Sequence, residues 1–103
     1  MLQVIEISPP VDAGIAPIVS ALVAAGVETF ESCEGGHGHA FLEPTVRFFG
    51  HREEGFRALS VVLLAGFGVK SLRRYWVVID GEPTGPQWEM TFHPTVGPVA
   101  GGA

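Results

Sequence analysis

The chain is poor in sulfur and in positive charge. Cys33 is the only cysteine among 103 residues. No disulfide can form within the chain, so the expected setting is reducing and cytoplasmic. Lysine and arginine number 6 against 11 acidic residues, for a net charge of −5. This balance argues against duplex nucleic acid, whose phosphates need basic neutralisation. It also gives no reason to expect an anionic membrane surface as partner. A long apolar run is missing too. The longest uncharged stretch, between Asp12 and Glu28, is interrupted by Pro17, Ser20 and two glycines and is too short to span a bilayer. Met1-Leu2-Gln3-Val4-Ile5 has no basic residue, so no signal peptide is expected.

What is present is apolar material for one core. The hydrophobic fraction is 47%, enough for a single domain without disulfides or an obligatory metal. That domain is expected over residues 1–93. Residues 94–103 lack charge and periodicity and read as a flexible tail.

Leu2 to Ile7 reads as a strand ended by Ser8-Pro9-Pro10, with Asp12 as the cap of the helix that follows. Ile15, Ile18, Val19, Leu22 and Val23 have helical spacing, and Gly26 suits the position after the helix. Strands are expected at Val27 to Ser32, Thr45 to Phe49, Leu72 to Asp80 and Gln87 to His93. A second helix is expected with Phe56, Leu59, Val62, Leu63 and Gly66 on one stripe, and a loop at Gly81 to Pro86. The order β-α-β-β-α-β-β predicts an α+β fold. It matches a ferredoxin-like β-α-β-β-α-β with two helices on one face of an antiparallel sheet and an extra C-terminal edge strand. Trp76, Trp88, Met90 and Phe92 are expected on the other sheet face. Ala16, Ser20, Ala21 and Ala24 would form the outer face of the first helix. Either surface suits a homodimer.

The chemistry-bearing residues cluster. Cys33, Gly35, Gly36, His37, Gly38 and His39 fall within seven positions. Cys33, His37 and His39 offer three donors suited to zinc. A fourth ligand would have to come from Glu31, Glu34, His51 or His93, and no second short ligand pair is present. A catalytic reading makes Cys33 a thiolate activated by His37 or His39. The surrounding Glu28, Glu31, Glu34 and Glu43 oppose it, because negative neighbours disfavour a thiolate. A broader reading makes this a ligand loop. Gly35 and Gly36 would present backbone N–H groups, and His37, His39 and Arg47 would contact a small molecule or a protein partner. Each reading has a structural counterpart: a buried cysteine packing as a small hydrophobe, glycines serving turns, and Arg47 paired with Glu31 or Glu43.

The segments Glu31-Ser32-Cys33-Glu34-Gly35-Gly36, Gly38-His39-Ala40-Phe41 and Glu43-Pro44-Thr45-Val46-Arg47-Phe48 resemble a family of small proteins encoded in bacterial and phage genomes. The resemblance covers most of the chain. It implies no particular activity, although a phage accessory or inhibitor protein fits it. Ser32-Cys33-Glu34-Gly35 is also similar to the Ser-Cys-x-Gly turn of the wybutosine-synthesis methyltransferases, which would imply S-adenosylmethionine. That family continues with arginine where this chain has Gly36. The leading expectation is therefore a small ligand- or protein-binding module. No cofactor and no metal are expected on that reading. The alternative is an enzyme or a metal-binding protein using Cys33, His37 and His39, and zinc is the ion that set would take.

Overall fold

A computed structural model describes residues 11–94. The expected strand at Leu2 to Ile7 and the expected tail lie outside these residues. The described elements run α1 (Ala16–Ala24), β1 (Thr29–Cys33), β2 (Thr45–Phe49), α2 (Arg52–Leu64), β3 (Val69–Ile79) and β4 (Glu82–Phe92).

Both helices are placed by their ends. Pro17 sits in the first turn of α1, where its missing N–H is not needed. At the other end the Gly26 N–H donates to Val23 O at 2.9 Å and the Val27 N–H to Leu22 O at 2.9 Å. Gly66 and Phe67 repeat this pattern on Leu63 and Val62 at the end of α2. These are Schellman closures, and they require a residue at positive φ. Gly26 and Gly66 supply it, at 84° and 94°. Asp12 does not cap α1. The N-cap is Ile15, without a side-chain bond, because Pro17 holds the helix start at Ala16 and leaves Asp12 a turn too early.

The four strands form one antiparallel sheet in the order β1-β2-β4-β3. Alternation sends Val46 and Phe48 of β2, and Trp88, Met90 and Phe92 of β4, to one face. There they pack with Ile18, Val19 and Leu22 of α1 and Ala58 and Val62 of α2. Phe48 and Met90 are 0% exposed; each such side chain stabilises the fold by roughly 1.5–3 kcal/mol. A Cβ on Gly55 would fall inside the Trp88 indole, so this glycine lets α2 approach β4 closely. The Trp88 Nε1–H donates to Gly50 O at 3.0 Å, which satisfies its one buried donor.

The α+β class, with two helices and an antiparallel sheet, is as the pattern predicts. Several details differ. The last strand lies between β2 and β3 rather than at an edge. Its Trp88, Met90 and Phe92 line the core under the helices, not the open face. On α2 the buried stripe is Gly55, Ala58 and Val62, while Phe56 and Leu63 are exposed. Glu82 to Pro86 continues β4 instead of forming a loop. The turn has two residues, Asp80 at φ 52° and Gly81 at φ 79°, as a tight I′ hairpin needs.

The open face of the sheet is charged. Glu31, Arg47, Glu89 and Arg73 occupy one register row across all four strands. Arg47 bonds Glu31 at 3.0 Å and Glu89 at 2.9 Å, and Arg73 bonds Glu89 at 2.8 Å. No helix among the described residues is long and apolar enough to cross a membrane.

Candidate functional site

Three donor side chains from three separate segments meet beside the end of β1. One ligand atom each from Asp12, Cys33 and His39 lies within 4.8 Å of the other two. Cys33 is the last residue of β1 and is 5% exposed. Asp12 precedes α1. His39 lies in the loop between β1 and β2.

That loop folds on itself. The Gly36 N–H donates to Leu42 O at 3.0 Å, and the His39 N–H to Gly36 O at 3.2 Å. The turn from Gly36 to His39 therefore brings the imidazole back toward Cys33. Gly35 is indispensable here: its φ is 87°, and a Cβ would stand 2.6 Å from the backbone of Glu43 and Pro44. Its N–H points at the Cys33 sulfur, 3.4 Å away.

Glu34 ties the three segments together. Its N–H donates to Asp12 Oδ2 at 3.1 Å, and its Oε1 accepts from the Gly14 N–H at 2.7 Å. Its Oε2 is 3.6 Å from His39 Nε2, while Asp12 Oδ2 is 3.8 Å from His39 Nδ1. The imidazole thus sits between two carboxylates, each over one third exposed. A thiol, an imidazole and a carboxylate together form a mixed sulfur, nitrogen and oxygen donor set, the kind that suits zinc.

Of the residues expected in the site, Cys33 and His39 come together. His37 is exposed and outside the trio. Gly35 and Gly36 shape the loop. Among the suggested fourth ligands, Glu34 adjoins the trio, while Glu31, His51 and His93 are not part of it. Asp12 was legible only as a helix cap. The contrary signal was Pro17, which fixes the helix start beyond Asp12's reach.

Arg47 belongs to the charged row instead. Its guanidinium lies 4.8 Å from the Phe41 ring centre and 5.2 Å from that of Tyr75. Burial alone would lower the Arg47 pKa, but the Glu89 hydrogen bond and the charges around it outweigh this and raise it. Tyr75 is pushed above its ordinary value chiefly by burial, with Arg47 opposing and Glu89 adding to the shift. Glu43, the other suggested partner of Arg47, pairs with Lys70.

Between Ala40–Glu43 of the loop and Thr45, Glu89 and Thr91 of the sheet lies an open cavity of about 420 Å³. No protein-family model, curated protein or solved structure matches this chain.

Proposed function

We propose that this chain is a metal-binding protein that holds zinc, or a divalent ion of similar softness, on Asp12, Cys33 and His39. The convergence of these three side chains from three segments carries the reading. Zinc bonds of about 2.0–2.3 Å put tetrahedral ligand atoms roughly 3.3–3.7 Å apart. The cluster needs to tighten by about 1 Å, a movement within reach of a glycine loop.

Glu34 would act on the ion through His39. With Nδ1 on the metal, Nε2 faces the Glu34 carboxylate, which fixes the ring and strengthens it as a donor. Three protein ligands leave a fourth position for water or a small ligand. The thiolate-nucleophile reading has less behind it, because Cys33 at 5% exposure gives a substrate little room to approach.

The test is cobalt and zinc titration of untagged protein. A thiolate-to-cobalt charge-transfer band at one equivalent is expected. Cys33→Ser should abolish the band, and Asp12→Ala and His39→Ala should weaken affinity. Glu34→Gln should weaken it roughly 10–100-fold, and His37→Ala should leave it unchanged. Absence of the band, or equal dependence on His37 and His39, overturns the proposal.

The cavity supports a second reading, small-molecule binding by the loop. Its volume, about 420 Å³, falls within the usual range for ligand sites. Fragment binding that shifts the Thr45 and Thr91 amide resonances would support it. A fragment screen that leaves both resonances unmoved would remove it.

A further inference from the structure

The β3–β4 hairpin extends beyond the rest of the sheet. β2 pairs with β4 only as far as Gln87, whereas Val77, Val78 and Ile79 pair with Thr84, Pro83 and Glu82 alone. This arm carries four consecutive large apolar side chains. Trp76, Val77, Val78 and Ile79 are 54%, 40%, 65% and 55% exposed.

Alternation divides them between two faces. Trp76 and Val78 follow Arg74 on the helix side; Val77 and Ile79 follow Tyr75 on the open side. The extra residue between Gln87 and Thr84 lies on β4, so the alternation of β3 is uninterrupted. A continuous apolar run of this kind belongs to strands covered on both faces. Here both faces meet solvent. In addition, β3 ends the described sheet, and its outer edge has no pairing strand among the described residues. No proline or charge protects that edge between Arg74 and Asp80.

We propose that the occupant of this edge is a second copy of the chain, paired antiparallel, β3 to β3, about a two-fold axis at Val77. The charge pattern selects both the partner and the register. Arg74-Tyr75-Trp76-Val77-Val78-Ile79-Asp80 is self-complementary when reversed. Arg74 meets Asp80 of the second copy, Tyr75 meets Ile79, Trp76 meets Val78, and Val77 meets itself. The opposed strand residues share one face of the joined sheet, so apolar meets apolar, and Arg74 stands opposite the turn residue Asp80, so charge meets opposite charge. Moving the axis to Trp76 sets Arg74 against Val78. Moving it to Val78 sets Asp80 against Trp76. The tight Asp80-Gly81 turn keeps Asp80 at the strand end, within reach of an arginine. The result is one continuous sheet of eight strands, and the isologous contact is that of a two-fold dimer.

Cysteine trapping under mild oxidation tests register and partner together. Val77→Cys places two thiols directly opposite each other, and antiparallel neighbours are close enough for a disulfide. Ile79→Cys faces Tyr75 and has no cysteine opposite. Leu64→Cys, on α2 at 89% exposure, reports random collision. Val77→Cys should cross-link at least about ten times faster than either control. Sedimentation should give twice the 10.9 kDa chain mass, and Val77→Lys should give the monomer with unchanged circular dichroism. A monomeric wild type, equal cross-linking of all three variants, or a dimer that survives Val77→Lys overturns the proposal.

Discussion

Glu89 is the residue on which the open face depends. Its carboxylate accepts from Arg47 Nε at 3.0 Å, with Arg47 Nη2 2.9 Å away as an ion-pair contact, and from Arg73 through Nε at 3.2 Å and Nη2 at 2.8 Å. Its side chain is 11% exposed, against 25% for Arg47 and 59% for Arg73. Glu89→Gln keeps the shape and removes the charge. Arg73 then turns to water, and an ion pair so exposed is worth about 0–1 kcal/mol. Arg47 loses one charge-assisted hydrogen bond and an ion-pair contact but keeps Glu31 at 3.0 Å. Hydrogen bonds to charged groups contribute about 1.5–3 kcal/mol, and the surviving Glu31 pair places the loss toward the lower end. The expected cost is about 1.5–3 kcal/mol, or a fall in Tm of roughly 6–24 °C for a domain of this size. Urea unfolding measures it. Arg73→Ala, at under about 1 kcal/mol, is the comparison. The reasoning fails if Glu89→Gln costs less than Arg73→Ala, because burial would then not be what gives this carboxylate its weight.

The other predictions concern single positions. Gly35→Ala should destabilise the fold by about 2 kcal/mol or more, since the Cβ meets backbone rather than a movable side chain; chemical denaturation measures this. Gly55→Ala should displace the Trp88 indole at a cost of about 1–3 kcal/mol, with a red shift of the emission from that buried tryptophan. Tyr75 is the only tyrosine, so phenolate absorbance reports it alone. Its midpoint should lie above 10.0. A raised native pKa means that the native state holds the proton longer. Its contribution to stability is therefore complete below pH 10 and is lost as pH rises through the native value. A midpoint at or below the ordinary value would show that Tyr75 is solvated.

The legible parts of this sequence were those set by local chemistry. Gly26 and Gly66 mark helix ends because few other residues tolerate the left-handed position, and both helices close there. Thr45 to Phe49 alternates cleanly and is a strand with those bounds. What escaped was set by partners distant in sequence. Nothing near Trp88 says that it will lie under Gly55, so an alternating apolar strand was assigned to the wrong face. Phe56 and Leu63 looked like core because they are large, yet the buried stripe follows Gly55 and Ala58, where small residues let α2 approach the sheet. The site divided in the same way. Cys33 and His39 stand out by residue type and proximity. Asp12 lies 21 residues before Cys33 in the chain and becomes a neighbour only through the Glu34 N–H and the path of the chain into α1.

The proposed metal site and the proposed dimer edge lie at opposite sides of the sheet. Cys33 is on β1, and the arm is on β3, at the two ends of the order β1-β2-β4-β3. Three strand spacings of about 4.8 Å across the sheet, and about 20 Å along β3 from Ser71, which shares the row of Cys33, to Val77, separate them by roughly 25 Å. Between them stands the row Glu31, Arg47, Glu89 and Arg73, whose charges are already mutually neutralised. The row therefore gives an ion at Asp12, Cys33 and His39 little electrostatic leverage on the Arg74–Asp80 contact, and at this distance salt screens what remains. Each site should then bind without the other. Zinc affinity should be the same in the wild type and in Val77→Lys, and the dimer dissociation constant should not change when Cys33→Ser removes the metal. A shift of more than about ten-fold in either would mean a coupling near 1.4 kcal/mol. The two edges would then have to communicate through movement of the sheet itself, contrary to the fixed, paired row that joins them.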